Sequence, residues 1–276
     1  MTSLAALYVL TLRQHLHGRR WMVMAAIFLL PAGLSVLIRA TAPEVPAIGI
    51  EFMTAFMLIP QALLPLVALV YASGIIQDEQ EDQTLTYLLV RPISRWTLYL
   101  VKLLATLATT IVLTALFTIL TYAFVYIGKD VSAGDVTRRC FTAVGIHGLS
   151  VGAYCCLFGL MGLYTRRALV AGIVYSTVIE GLLANLPFGL RFVTVIYYSR
   201  IAAYRSMDFT FTDRRGTHDM AAAAWQLDVK NDPGLAEHPT LLSCVLILVV
   251  AGLACALVGA LMCYRREFHV KTPEGS

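Results

Sequence analysis

The chain has 276 residues, of which 58% are hydrophobic and only 14% are charged. A soluble globular domain has about 25% charged residues, so this composition excludes an ordinary soluble protein and predicts an integral membrane protein. The net charge of +4 is modest, so it does not indicate a nucleic-acid partner. The six cysteines lie mostly within apolar runs, and their spacing fits neither a disulfide framework nor a metal site.

Residues 1–20 place apolar side chains, among them Leu4 and Leu12, before a group of arginines. A secretory signal has the opposite order, with its charges ahead of the apolar stretch. The order found here predicts an amphipathic helix at the membrane interface that leads into the first span. His15 and His17 occupy alternate positions, which do not form one metal-binding face of a helix, so we expect them to be polar residues at headgroup level.

Six apolar runs are each near the roughly 20 residues that a helix needs to cross a bilayer. The predicted spans are residues 21–38, 52–76, 98–127, 141–164, 168–190 and 241–264. Pro31, Pro60 and Pro65 fall within the first two spans and predict kinks there. The sequence therefore predicts an all-α integral membrane protein with six transmembrane helices, which form a single transmembrane domain over residues 1–276.

The number of spans and the distribution of charge predict the orientation. An even number of spans puts both termini on the same side of the membrane. The 21 lysines and arginines divide almost evenly between the two sides, but those on the side of the termini concentrate in tails and short loops. The positive-inside rule is most reliable for such segments, so it favours termini in the cytoplasm.

A charged connection, residues 77–97, separates the second span from the third. It opens with four carboxylates, which must be solvated because burying them in hydrocarbon would be prohibitively costly. These carboxylates belong to Asp78, Glu79, Glu81 and Asp82. The membrane therefore ends at this point, and the connection is expected to be a cytoplasmic loop.

A short amphipathic helix is predicted after the acidic residues. Leu85, Leu88 and Leu89 are spaced at i, i+3 and i+4, so they share one face of this helix. Thr86 and the other polar residues point elsewhere. Pro92 cannot continue a helix, so the chain stops and turns there.

The third span begins after this turn. Ser94 offers an N-cap for the new helix, because its hydroxyl can accept a hydrogen bond from a free backbone N–H. Arg95 and Lys102 are expected to extend their charged ends towards the headgroups from the start of the apolar run.

The charged connection resembles the first cytoplasmic loop of the ABC-2 type permeases, the membrane subunits of one class of ABC transporters. The pattern of that family runs through acidic residues, Gly-Thr-Leu, a Leu-Leu pair, Arg-Pro, and a later Ser-Arg and Lys. The matching positions are Glu79, Glu81, Thr84, Leu85, Leu88, Leu89, Arg91, Pro92, Ser94, Arg95 and Lys102. Gln83 stands where the family usually has glycine before the threonine, so the resemblance does not imply the tight turn of the family here.

The resemblance implies that the short helix is a coupling helix, which docks in a groove of a separate ATPase subunit. The docking residues would be Leu85, Leu88 and Leu89, with Glu79, Glu81, Thr84, Arg91 and Pro92 around them. It also implies a second copy of the permease and two ATPase subunits that bind ATP and Mg²⁺. This sequence contains no P-loop, so we expect no cofactor in the chain itself.

The fourth span carries Gly148 and Gly152, a spacing that predicts close approach to another helix, within the chain or between two copies. His147, near the outer end of the same span, is expected to make a hydrogen bond between helices. The fifth span contains Glu180. An ionised acid at a helix centre costs roughly 2.5 to 3.5 kcal/mol, so Glu180 should face a partner, a cavity or water. Two interpretations remain open for it, a carboxylate on the substrate pathway or a hydrogen-bonded structural residue.

Residues 191–239 connect the fifth and sixth spans. Their first part, residues 191–205, interleaves aromatic and basic side chains, which is typical of a segment along the outer membrane interface. From residue 207 the chain becomes as polar as a soluble loop, so the sequence predicts an external segment there. Nothing in it indicates a ligand.

Together these features predict the permease subunit of an ABC-2 type exporter in the cell membrane. Its cargo would be hydrophobic or amphiphilic, and the surrounding membrane lipid would be a further partner. A non-transporting scaffold that anchors a soluble partner is an alternative, because the sequence shows no catalytic chemistry. An intramembrane enzyme that uses Glu180 and His147 is a third interpretation, although no zinc motif or nucleophile elbow is present.

Overall fold

The computed structural model describes residues 3–17, 19–76, 94–129, 131–165, 167–185, 189–213, 216–225 and 239–265. In chain order they form α1 (Ser3–His17), α2 (Arg19–Thr41), α3 (Ala47–Ala72), α4 (Arg95–Tyr126), α5 (Ala133–Tyr164), α6 (Ala168–Asn185), α7 (Val195–Ser206), β1 (Thr210–Asp213), β2 (Gly216–Asp219), α8 (Met220–Trp225) and α9 (Leu241–Arg265). A short 3₁₀ turn, Gly189–Val193, precedes α7.

Six of these helices, α2 to α6 and α9, are long and apolar enough to cross a membrane. The prediction of an all-α membrane protein with six spans is therefore confirmed. The helices α4 and α5 have 32 residues each, about 48 Å at 1.5 Å per residue, so both extend beyond a hydrocarbon core of about 30 Å. The segment after α7 adds a small antiparallel hairpin, in which Thr210 pairs with Asp219.

Consecutive spans run in opposite directions, which defines two ends of the bundle. The end where α3 finishes at Ala72 and α4 begins after Ser94 is called the loop end. The end that carries Thr41 and Tyr126 is called the far end. The buried core near the loop end lies between α3, α4 and α5. Near the far end it contains a cluster of aromatic side chains that includes Phe52, Phe56, Phe209 and Trp225.

Two of the spans depart from regular α-helical geometry. Phe52–Leu63 of α3 and Tyr175–Leu182 of α6 are π-helical. Pro60 lies inside the first of these stretches, where its missing N–H leaves a backbone carbonyl without its helical partner. Pro60 therefore marks an irregular stretch of the second span, which is a widened helix over several turns, whereas Pro31 lies within the unbroken α-helix α2. Such π-helical turns are rare and concentrate at functional sites.

Glycines allow the helices to approach one another closely. A Cβ atom at Gly162 of α5 would overlap the carbonyl oxygen of Ser73, and one at Gly259 of α9 would lie 2.5 Å from the hydroxyl of Tyr99. Gly148 and Gly152 face α4 at ordinary van der Waals distances of 3.8 and 3.9 Å. The predicted packing role is confirmed within the chain, but the tightest contact of α5 lies nearer the loop end than the sequence indicated.

The N-terminal helix packs against the bundle. Leu7 and Thr11 of α1 are buried, and the His15 ring lies 5.1 Å from the Tyr71 ring. His15 Nε2 is also 3.2 Å from the hydroxyl of Thr106 on α4. His15 therefore contacts α3 and α4, and the expectation that it lies at headgroup level remains a prediction.

The helix α7 is also more buried than a segment that lies flat on the interface. It packs against α5, α9 and the π-helical part of α3. The residues of α7 that are buried are Ile196, Tyr197, Ser199, Arg200, Ile201, Ala202 and Ala203. Most of residues 191–205, which were predicted to lie along the membrane interface, therefore form a helix that packs within the bundle.

Candidate functional site

The predicted coupling helix falls in residues 77–93, which lie outside the described residues. The positions concerned are Glu79, Glu81, Thr84, Leu85, Leu88, Leu89, Arg91 and Pro92. Their roles therefore remain predictions. The structure does describe both points at which this segment joins the bundle.

The turn that follows α3 is buried where it reaches the loop, since Ile75 and Ile76 are 6% and 4% exposed. Lys102 Nζ, from the second turn of α4, donates a hydrogen bond of 3.3 Å to the carbonyl of Ile75. Lys102 is itself only 4% exposed, so the expectation that it extends to the headgroups was wrong. A cation at the C-terminal end of a helix stabilises the carbonyls there, so Lys102 fixes the end of α3 to α4.

The other side of the loop begins α4 as predicted. Ser94 is the N-cap residue, with extended backbone angles, and its carbonyl accepts a hydrogen bond from Leu98 N. Its hydroxyl bonds the hydroxyl of Thr97 rather than a backbone N–H. The end of α3 is also held by α5, because the Ser73 carbonyl packs directly on Gly162. Both ends of the loop therefore rest on a tightly packed base formed by α3, α4 and α5.

A row of buried polar side chains runs along α4 at every fourth position. Its members are Lys102, Thr106, Thr110, Thr114, Thr118, Tyr122 and Tyr126, none of which is more than 8% exposed. The row contacts three other helices in turn: His15 of α1 at Thr106, α5 at Thr110 and Thr118, and α3 at the two tyrosines. Over 24 residues it covers about 36 Å, more than the thickness of the hydrocarbon core.

Glu180 lies in the π-helical part of α6 and is fully buried. Its Oε1 accepts hydrogen bonds from the Tyr175 hydroxyl at 2.9 Å and from Val195 N at 3.0 Å. Its Oε2 accepts one from Ile196 N at 3.0 Å. Glu180 thus binds the first backbone N–H groups of α7, where a carboxylate is favoured by the helix dipole. Glu180 therefore has the hydrogen-bond partners that its burial requires. A role in the substrate pathway remains a prediction.

Arg200 is also on α7, after the N-terminal residues that Glu180 binds. It is 5% exposed, and its Nη1 donates to Asn185 Oδ1 at 3.0 Å. Its Nη2 lies 3.5 Å from Gln61 Oε1, in the π-helical part of α3. The two π-helical stretches therefore both supply polar contacts to α7. Burial lowers the pKa of the Arg200 guanidinium to about 10, so the group stays protonated at neutral pH.

A second buried carboxylate, which the sequence reasoning missed, lies at the far end. Glu51 is 1% exposed and pairs with Arg139 of α5, whose Nε is 2.9 Å from Glu51 Oε2. The hydroxyls of Tyr122 and Tyr126 donate to its two oxygens, the former at 2.6 Å. Glu51 directly precedes the predicted second span, residues 52–76, and so lies outside the apolar run. The spacing of the two tyrosines, four apart on one helix face, was the available signal.

His147 is fully buried, and its Nδ1 is 3.1 Å from the hydroxyl of Thr118. The predicted contact between helices is therefore confirmed. Phe56 packs on the ring at 5.7 Å between centroids. No hydrogen bond joins His147 to Glu180 in the part of the chain that the structure describes, so the two do not form a catalytic pair there. Among those residues no group of three or more His, Cys, Asp or Glu side chains could hold a metal ion.

Comparison with known proteins gives one clear assignment. The family model described as ABC-2 family transporter protein matches residues 16–184, which is more than half of the chain. A search of the curated proteins gives no significant match. The match covers α2 to α6 and the charged loop, the same region that carries the resemblance in the sequence. The chain therefore belongs to the ABC-2 family of transporter proteins, as the membrane-spanning permease subunit of an ABC transporter.

Proposed function

We propose that this permease exports a hydrophobic or amphiphilic substrate with ATP hydrolysed by a separate ATPase subunit. Two permease copies and two ATPase subunits would form the working complex in the cell membrane. The termini and residues 77–97 would face the cytoplasm. ATP and Mg²⁺ would bind the ATPase, because this sequence has no P-loop.

The observation that carries the proposal is the packed base of the charged loop. Lys102 holds the Ile75 carbonyl, and Gly162 lies against the Ser73 carbonyl. A displacement of residues 77–93 would therefore act on α3, α4 and α5 together, since close-packed helices transmit movement rather than absorb it. This is the mechanical connection that a permease without its own nucleotide site requires.

The proposal is tested by purifying the tagged chain from its native membranes in mild detergent and identifying the proteins that accompany it. We expect a stoichiometric ATPase subunit with a P-loop. The variant Leu88→Asp/Leu89→Asp should lose this subunit, because two charges on the apolar face would have to be desolvated in the docking groove.

The control is Thr86→Asp, which adds one negative charge to the same helix away from the leucine face and should retain the ATPase. A chain that purifies alone, or with a partner lacking any nucleotide site, would contradict the proposal and favour the scaffold. ATPase-driven transport that persists in the double aspartate variant would contradict the docking role of the leucines.

A further inference from the structure

A narrow concavity near α7 is lined by both apolar and polar side chains. Its lining residues are Phe56, Pro60, Ile146, Ser199, Arg200 and Trp225. Phe56 and Pro60 come from the π-helical part of α3, and Arg200 and Ser199 come from the middle of α7. A surface with an apolar wall and a buried cation matches a ligand that is itself amphiphilic.

Arg200 has donor capacity that its protein partners do not use. A guanidinium has five N–H donors, and the two side chains that accept from it, Asn185 and Gln61, are neutral amides. Its Nε is buried and makes no hydrogen bond within the described part of the chain. An unsatisfied charged donor in a buried site costs free energy that an anionic acceptor would recover.

The nearest formal counter-charge is occupied elsewhere. Glu180 interacts with Arg200 electrostatically but does not form a salt bridge with it in the described residues. Both oxygens of Glu180 are held by the backbone at the start of α7 and by Tyr175. Glu180 therefore fixes the helix that carries Arg200 and leaves the guanidinium available.

We propose that Arg200 and the concavity around it form a binding site for the anionic group, a phosphate or carboxylate, of an amphiphilic molecule. The apolar part of that molecule would lie against Phe56, Ile146 and Trp225. The concavity has no room for such a ligand in this structure, so binding would require α7 to move away from α3. Within the proposed exporter the ligand would be the cargo, and this part of the inference rests on the proposed function.

Trp225 makes binding measurable without transport. The chain has three tryptophans, and Trp21 and Trp96 are exposed by 40% and 44%, so both can be replaced by phenylalanine. The full chain with Trp225 as its only tryptophan would be titrated in neutral detergent with dodecyl phosphate. Dodecanol and inorganic phosphate would serve as the apolar and anionic halves of the probe.

We expect a saturable change in Trp225 emission with dodecyl phosphate that neither half reproduces. Arg200→Gln should weaken this binding by roughly tenfold or more, since a charge-assisted hydrogen bond is lost. Arg200→Lys should retain part of the affinity through its charge. The control Arg205→Gln removes an exposed charge from the same helix and should leave the affinity unchanged. An equal response to dodecanol, or an unchanged affinity in Arg200→Gln, would overturn the proposal.

The source of the anion is distinguished in vesicles. If a membrane lipid fills the site, phosphatidylglycerol in phosphatidylcholine vesicles should change Trp225 emission, and dodecyl phosphate should add nothing. If the ligand is a free amphiphile, dodecyl phosphate should act in both kinds of vesicle. Either result supports the anion site, and a response to neither overturns it. Because these assays need no ATPase, their failure is distinguishable from failure of the copurification that tests the proposed function.

Discussion

Arg139 and Glu51 form a buried ion pair at 2.9 Å although 88 positions separate them in the chain. The pair joins the start of α3 to the first turns of α5, and the hydroxyls of Tyr122 and Tyr126 bring in α4. Arg139 also donates to the carbonyl of Asp208, 3.2 Å away, beyond the end of α7. One carboxylate thus organises the far end of the bundle.

Replacing this carboxylate should destabilise the protein strongly. We expect Glu51→Gln to cost about 3 kcal/mol, because Arg139 would remain buried without its counter-charge. The measurement is the midpoint of thermal unfolding in detergent. Glu44→Gln removes an exposed carboxylate from the preceding connection and should leave the midpoint unchanged.

The double variant Glu51→Gln/Arg139→Gln isolates the interaction. It should unfold at a higher temperature than Glu51→Gln, since no unpaired charge is then buried. The single variant Arg139→Gln completes the comparison. If the effects of Glu51→Gln and Arg139→Gln on the unfolding temperature simply add in the double variant, the ion pair is not what stabilises this end.

The contact between Gly162 and Ser73 predicts the effect of one added methyl group. Gly162→Ala should destabilise the protein by about 1–3 kcal/mol, because α3 and α5 must separate at the base of the loop. Thermal unfolding checks the stability, and ATPase-driven transport checks the base of the loop. Gly145→Ala is the matched control, since nothing lies within 4 Å of its Cβ position on the same helix. Equal stability of the two variants would refute the close approach.

The hydrogen bonds of Glu180 predict different losses of stability for two variants. Tyr175→Phe removes one donor and should lower stability by about 1 kcal/mol. Glu180→Gln should cost more, because an amide lacks the charge that favours the start of α7. Both variants should still assemble with the ATPase.

The same variants separate the two interpretations of Glu180. A pathway role predicts that Glu180→Gln changes the pH dependence of transport, whereas Tyr175→Phe does not. Transport kinetics that match the original protein across the pH range would leave Glu180 as a structural residue only.

The hydrogen bond of Lys102 predicts an effect on transport at the loop end. Lys102→Met keeps the aliphatic length but removes the hydrogen bond to the Ile75 carbonyl. We expect the chain to fold and ATPase-driven transport to fall by roughly tenfold, since about 1.5 kcal/mol of the connection between α3 and α4 is lost. Lys129→Met, in the turn at the far end, is the control. A lower unfolding temperature with normal transport would restrict Lys102 to stability.

The sequence predicted the features that depend on local composition and spacing. Hydropathy found the six spans, and the cost of burying Glu180 correctly required a partner. The sequence did not predict that Lys102 is buried or that α7 packs within the bundle, because both depend on which helices contact each other. The pairing of Glu51 with Arg139 was missed for the same reason, since the two residues are 88 positions apart and no local pattern relates them.

The polar row on α4 limits the ways in which this helix can move. Successive members are four residues apart, so each is rotated by about 40° from the last, and the whole row turns through about 240°. Rotation of α4 about its axis would therefore pull polar groups away from α1, α5 and α3 at once. Sliding along its length would break the same contacts, so we expect α4 to tilt as a rigid unit together with the helices that it contacts.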